Sequence, residues 1–585
     1  MVLGLGLLAG LSANAQIMVT NTNNSGAGSL RQAVIDAEAG ATIMFDTDID
    51  GNTIMLDSEI EIDKDLTIQG NGDDNTVISG NDETRIFVIT DAEVNIEDVT
   101  LTDGSAEDSG GAIWASGSVV VISNATISGN EAHGDSSTHG GGGIYIKDGE
   151  LTLNSSIVTD NEASGDSGSG GGIFVGTDGN ATINSSEISA NFASRAGGGI
   201  EFNSGDDSFS LTLNDVTIDA NTTGNNPGNG GGLHVTGDGN VSLTGGIVSN
   251  NTASQGGGLW NSTGIMTIAN VEIDGNTSTG AGSNDGGGGI YNNGGMLSIS
   301  ASTVSNNEAS GLLGRGGGIH LNGGTATMVK TTVSGNSAFT NGGGIFNNGE
   351  LMLNANTIAE NAALVNGGGI MNNGSNMLSI KNSIVAKNTA LLGTDLFGED
   401  EDVESEGYNL IGNLDADIFA SLESDIMGTL ENPLDFDLLD LSDNGGNTRT
   451  HRLACPSPAA DAGDPEDNSS DQLNQDVFNG RRDIGAYEEQ EVCSTADVDD
   501  FDSATASVVY PNPSMNGQVN LELSANHGTG ATISIYEIAS GKLVKEMTAD
   551  TMNLQIGVSN LATGTYVMQI VSDNATETHK FIVGK

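Results

Sequence analysis

Apolar and polar residues alternate through the middle of this chain in runs too short for helices and too regular for loops. Between Gly141 and Asn161, the pairs Ile144/Ile146 and Leu151/Leu153, then Ile157, fall in three runs separated by Asp148-Gly149 and by polar triplets. No segment there carries a 3.6-residue period, so the pattern predicts strands of about three to five residues joined by tight corners. The unit recurs in phase. Asn stands at 130, 161, 191, 221, 251, 276, 307, 336, 361 and 388, each with Ile or Val three residues earlier. Gly-Gly-[Gly/Ala]-[Ile/Leu] sites end at 113, 144, 173, 200, 233, 259, 290, 319, 345 and 370, a step of 25 to 33 residues. A fixed period of that size means a solenoid, in which each unit buries its apolar face only against its neighbours. Three short strands per turn make a coil of parallel β-structure. Asp-Gly at 148, 178 and 238 and Asn-Gly at 293, 322, 348 and 373 mark a corner that needs positive φ.

The phased residues have structural work to do. In a parallel stack identical side chains lie about 4.8 Å apart, so each Asn amide reaches the next. The glycines let the chain re-enter the strand tightly. A phosphate cradle is excluded, since no Gly-Lys-[Ser/Thr] follows and no strand-to-helix context exists. On these residues the stretch 60–390 resembles right-handed parallel β-helix proteins of the pectate-lyase-like superfamily, and its paired motifs are similar to the repeats of chlamydial polymorphic outer-membrane proteins. The resemblance implies an all-β fold, a right-handed parallel β-helix solenoid. It implies no single activity, because that superfamily hosts lyases, hydrolases, phage tailspikes and adhesins.

The flanks differ in character. Residues 1–15 form an apolar run ending in Ala13-Asn14-Ala15, which reads as a signal peptide, truncated at its basic start, with cleavage after Ala15. Residues 16–59 form an N-terminal capping region. There Ser29 with Gln32 makes a capping box, and Leu30, Ala33, Val34 and Ala37 share one helical face, so a short helix closes the open end of the coil. After 390 the repeat fades. Asn444 to His451, Ser457 to Asp464 and Arg482 to Glu488 resemble the end of choice-of-anchor β-helix proteins, which implies a family of exported surface proteins for 391–490. Asp461, Asp464 and Asp483 read as turn formers rather than a cation site. Cys455 and Cys493 could pair in an oxidising compartment, a pairing that the sequence alone does not establish. A linker, 491–506, leads to 507–585, where alternating apolar residues with Gly and Pro corners predict a small β-sandwich. Tyr510-Pro511-Asn512-Pro513 at its start and Lys580-Phe581-Ile582-Val583 at its end resemble the type A sorting domain of the type IX secretion system of Bacteroidota. That implies contact with the secretion machinery and a secreted or outer-membrane-surface location.

Charge narrows the partners. The chain has 78 acidic and 17 basic residues, a formal charge of −61. Nucleic acid is excluded as a partner, since phosphate binding needs basic surface. No stretch is apolar for long enough to form a transmembrane segment. No cofactor or metal site is expected; the acidity suits calcium, but no calcium motif is present.

Chemistry is thin. Lyases of the superfamily use an Arg or Lys base beside carboxylate-held calcium, and the related hydrolases use clustered Asp with Gly-His-Gly and Arg-x-Lys. Neither tripeptide occurs, and the six basic residues between 106 and 390 do not cluster by phase. One column stands out, the residue directly after each Gly-Gly-x-[Ile/Leu]. It holds Trp114, Tyr145, Phe174, Glu201, His234, Trp260, Tyr291, His320, Phe346 and Met371, six of them among the chain's 23 aromatics. If the Ile points inward, alternation turns this residue outward. Trp114, Tyr145, Phe174, Trp260, Tyr291 and Phe346 would then form a ladder for stacking on the sugar rings of an extracellular glycan. The plainer alternative packs the same rings under the variable loops. Glu201 and His234 are the sole catalytic candidates, as neighbours able to share acid–base work. A non-catalytic adhesion or glycan-contacting scaffold fits best. A polysaccharide lyase or glycoside hydrolase, or a purely structural surface protein, are the alternatives.

Overall fold

A computed structural model describes residues 16–491 and 507–584 apart from 225–226, 375–376, 399–402, 415–417, 435, 516, 525–526, 539 and 573–575. The signal-peptide expectation, with its cleavage after Ala15, and Cys493 lie outside the described residues. Cys455 is disulfide-bonded.

The chain winds into a parallel β-helix of about 14 turns. A representative turn has a first strand after the glycines (Ile144–Lys147), a second (Glu150–Asn154) and a third (Ile157–Thr159). Stacking is in register. Ile113, Ile144, Ile173, Ile200, Leu233 and Leu259 follow one another along the first column. Ile127, Val158, Ile188, Ile218, Val248 and Ile273 do so along the third. These side chains make one aliphatic core, each Ile or Leu contributing about 1.5–3 kcal/mol on burial. Within the third strand the inward residue is Val158. Ile157, part of the expected apolar alternation, points outward and is 39% exposed.

A fourth element escaped the three-strand expectation. After each Asn from 130 to 361 a two-residue strand such as Glu162–Ala163 pairs with its neighbours, and these nine, with Ser105–Ala106 before them, form a separate ten-stranded parallel sheet. The glycine triplet is the return from this strand to the first. Gly141 has φ +64, and a Cβ on Gly142 would lie 2.5 Å from Glu162 N and 2.4 Å from Gly171 O. Glycine is required there by contact as well as by conformation.

Parallel pairing begins at Gln16–Val19 and runs to Ile426–Thr429. At the first end lies the helix Leu30–Asp36, capped by the Ser29 hydroxyl, which accepts from Gln32 N, with Leu30, Ala33 and Val34 buried. The Gln32 side chain turns to Asp36 instead of completing the box. At the other end the chain reverses, and residues 448–486 lie along the outer face of the third strands. Arg449 bonds Glu272 Oε2 at 3.0 Å and Asp274 Oδ1 at 2.9 Å. Gln472 accepts from Thr332 Oγ1 (2.7 Å) and donates to Thr303 Oγ1 (3.0 Å). His451 pairs with Ser334 Oγ, and Ala486 N donates to Thr357 Oγ1. A second small core, including Ile384, Leu410, Phe436, Leu453 and Ile484, sits beneath this strap.

The C-terminal unit is a seven-stranded, mostly antiparallel curled sheet. Gly564–Val571 pairs with Thr532–Glu537 and Thr576–Val583, and its core holds Val519, Ile533, Ile535, Met568 and Phe581.

Candidate functional site

The column after the glycines is built from ten successive first strands. Register pairs Trp114 with Tyr145, Tyr145 with Phe174, Phe174 with Glu201, Glu201 with His234, His234 with Trp260, and Trp260 with Tyr291. These side chains leave the aliphatic core, as alternation requires. They are nevertheless covered. Phe174, Tyr291 and Phe346 are at most 2% exposed, Trp260 and Tyr145 are also buried, and Trp114 alone of the six rings is partly open.

The rings face each other along the axis. Trp114 and Tyr145 stack at 6.5 Å between centroids, Tyr145 and Phe174 at 5.1 Å, and Trp260 and Tyr291 at 6.0 Å with planes 1° apart. Residues just before the glycine triplets reach over them. Trp260 Nε1 donates to Gln255 Oε1, and the Arg315 guanidinium lies 4.9 Å from the Phe346 centroid. The ladder exists, but it is packed under loops instead of being displayed. Alternation along a strand tells inside from outside of the coil; it carries no information on what the preceding loop covers.

The titratable members are equally enclosed. Glu201 Oε2 meets His234 Nδ1 at 2.8 Å, and Thr236 Oγ1 donates to Glu201 Oε1 at 2.8 Å. Exposure is 0% for Glu201 and 2% for His234, whose ring packs 4.5 Å from Trp260. The carboxylate orients the imidazole, and His234 Nε2 has no hydrogen-bond partner. The pair thus has the connectivity of an acid–base dyad without an opening to substrate. Further along, burial pushes His320 down to about 3, with Arg315 adding to it, so that ring is neutral. Burial also raises the hydroxyls of Tyr145 and Tyr291.

The asparagines form an unbroken ladder. Asn130 Nδ2 donates to Asn161 Oδ1, Asn161 to Asn191, Asn191 to Asn221, and so on through Asn361 to Asn388, each at 2.8–3.0 Å. The last step was not anticipated. Asn388 N and Nδ2 both donate to Asp395 Oδ1, at 3.0 and 2.9 Å. Asp395 breaks the Asn pattern seven residues on, so the repeat alone does not announce it.

Of the strap carboxylates, Asp483 accepts from Asp461 N and Glu489 N, while Asp464 pairs with Lys381 at 2.8 Å and accepts from Glu466 N. Only the bond from Glu466 N is a local turn contact; the others tie separate segments together. Among the described residues no group of three or more His, Cys, Asp and Glu is placed to hold a metal, and no helix is long and apolar enough to cross a membrane.

Fold and tail together define an exported parallel β-helix protein, secreted or held at the cell surface. Residues 508–584 match the family model of the secretion system C-terminal sorting domain, so the chain ends in a type IX sorting domain and engages that secretion machinery. No curated protein matches the chain. Among solved structures it is similar to the crystal structure of pectate lyase Pel9A, at 14% identity over 82% of this chain and 98% of that one, with a TM-score of 0.25.

Proposed function

We propose that the protein is a non-catalytic scaffold that acts by contact outside the cell, in adhesion or in glycan contact. The observation that carries this is the enclosure of Glu201 and His234, the dyad that the sequence singles out for acid–base chemistry. Glu201 and His234 are sealed within a stack of rings that bond each other. A general acid or base must come within hydrogen-bond reach of its substrate, and here the fold occupies that space. The same enclosure moves glycan contact away from the middle of the aromatic ladder, leaving Trp114, with Lys147 Nζ 5.8 Å from its centroid, as the ring on offer.

The test is a glycan array with the full chain, followed by product analysis of every responsive glycan. Binding without cleavage is expected, with Trp114→Ala weakening it. Cleavage that disappears in Glu201→Gln would make the protein an enzyme. Silence toward all glycans would leave a purely structural surface protein.

A further inference from the structure

The loops that return the chain to its first strands change character along the coil. Seven of them, from 107–109 to 279–285, hold no Leu, Ile, Val, Phe or Met. In the next four, Leu312 and Leu313, then Phe339, then Leu364, then Leu391 and Leu392 stand 40–75% exposed. Backbone bonds tie these four loops together along the axis. Thr340 N donates to Gly314 O at 3.0 Å, Val365 N to Thr340 O at 2.9 Å, and Leu392 N to Val365 O at 3.0 Å. The side chains therefore follow one another in a stripe, at the ~4.8 Å step of a parallel stack. A groove of about 320 Å³ opens along it, lined by Ala338, Ala363, Phe339 and Leu364.

Acidity is missing from the same turns. Residues 286–394 hold 3 of the 78 acidic residues and 4 of the 17 basic ones, a formal +1 in a chain of −61. Within the four loops and the residues leading into them (308–315, 337–341, 362–366 and 389–392) only Glu308 and Arg315 ionise, and their signs are opposite. Exposed leucines are ordinary when scattered, whereas a continuous apolar stripe of several hundred Å² marks an interaction site. We propose that this stripe is the contact surface for a second copy of the chain, laid stripe on stripe about a two-fold axis. Charge favours a copy. Most surfaces of this chain would bring carboxylates together on meeting their own kind, and this one brings only Glu308. A strongly charged partner, by contrast, finds one residue of each sign to answer it. Area sets the strength. The stripe offers several hundred Å² per copy against about 800 Å² in a standard interface, so the pair is weak and reversible.

The test is analytical sedimentation of the full chain over about 1–100 μM. A monomer–dimer equilibrium with Kd of about 10 μM is expected. It tightens as salt rises from about 0.05 to 0.5 M, because the acidic remainder of the two copies is screened. Leu364→Lys and Leu391→Lys each weaken it roughly tenfold or more. Neither lowers the melting temperature of the monomer, since both side chains already stand in solvent. Ile35→Lys makes the same change of charge on the helix at the first end of the coil, and leaves the dimer intact. A chain that stays monomeric throughout overturns the proposal. So does a dimer indifferent to Leu364→Lys and Leu391→Lys, which would place the contact elsewhere. A monomer that binds phosphatidylcholine vesicles, and loses them in Leu391→Lys, overturns it as well and makes the occupant a lipid surface.

Discussion

Asn251 uses every hydrogen-bonding position its amide has. Its Nδ2 donates to Asn276 Oδ1 and Ile218 O, and its Oδ1 accepts from Asn221 N and Nδ2, all at 2.9–3.0 Å with no solvent exposure. Asn251→Ala therefore strands donors on Asn221 and an acceptor on Asn276. With about 1–3 kcal/mol per orphaned group, a loss of roughly 3 kcal/mol is expected in urea unfolding, with the midpoint falling and the slope unchanged. Trp260 makes a parallel case for packing. Its ring is buried between His234 and Tyr291, so Trp260→Ala is expected to cost about 3–5 kcal/mol of stability. A Trp260→Ala protein that melts like the wild type would show the ring to be free at the surface, and would restore it as a glycan contact.

The strap along the third strands has a stability that depends on pH. Burial pushes Asp483 up to about 6 and Glu488 up to about 7, from ordinary values of 3.8 and 4.5. Both carboxyls hold their protons more tightly in the folded strap than in the unfolded chain. Their contribution is therefore fully present below about 4 and is lost as pH rises through about 6 to 7. Lower protection of the Phe478 and Asp483 amides, whose N–H groups both bond Glu488, is expected at pH 7.5 than at pH 5 once exchange is referred to that of the unfolded chain at each pH, and Glu488→Gln should flatten that difference. Equal protection at both pH values would show that these carboxyls do not titrate in this range. The coil and its Asn ladder were legible in the sequence because each turn repeats the same demand at the same phase. The strap was not, because its bonds join residues some 120 to 180 apart without any repeat, as from Arg449 to Glu272. The outward third-strand column gives no sign of it, since threonine stands there outside the strap, at 126 and 217, as well as beneath it, at 303, 332 and 357. The enclosure of Glu201 and His234 was hidden for another reason, since it depends on loops that vary from turn to turn.

At the scale of the whole molecule, the chain divides into two compact units, Met1–Val492 and Cys493–Lys585, with separate cores. Calorimetry is expected to resolve two transitions, and cutting within 492–506 should remove one while leaving the other at its temperature. A single merged transition abolished by the cut would mean that the sorting unit supports the solenoid. The ladder has one further consequence, for how such a chain changes length. All its amides point the same way, and only Asp395 offers an acceptor that asks for no donor beyond itself. Whole turns can be gained or lost between Asn130 and Asn388, because each excision joins one donor to an equivalent acceptor. A cut from the C-terminal side removes the stop and leaves a buried amide unanswered. Descendants of this sequence should thus differ in the number of their middle turns and share their last one.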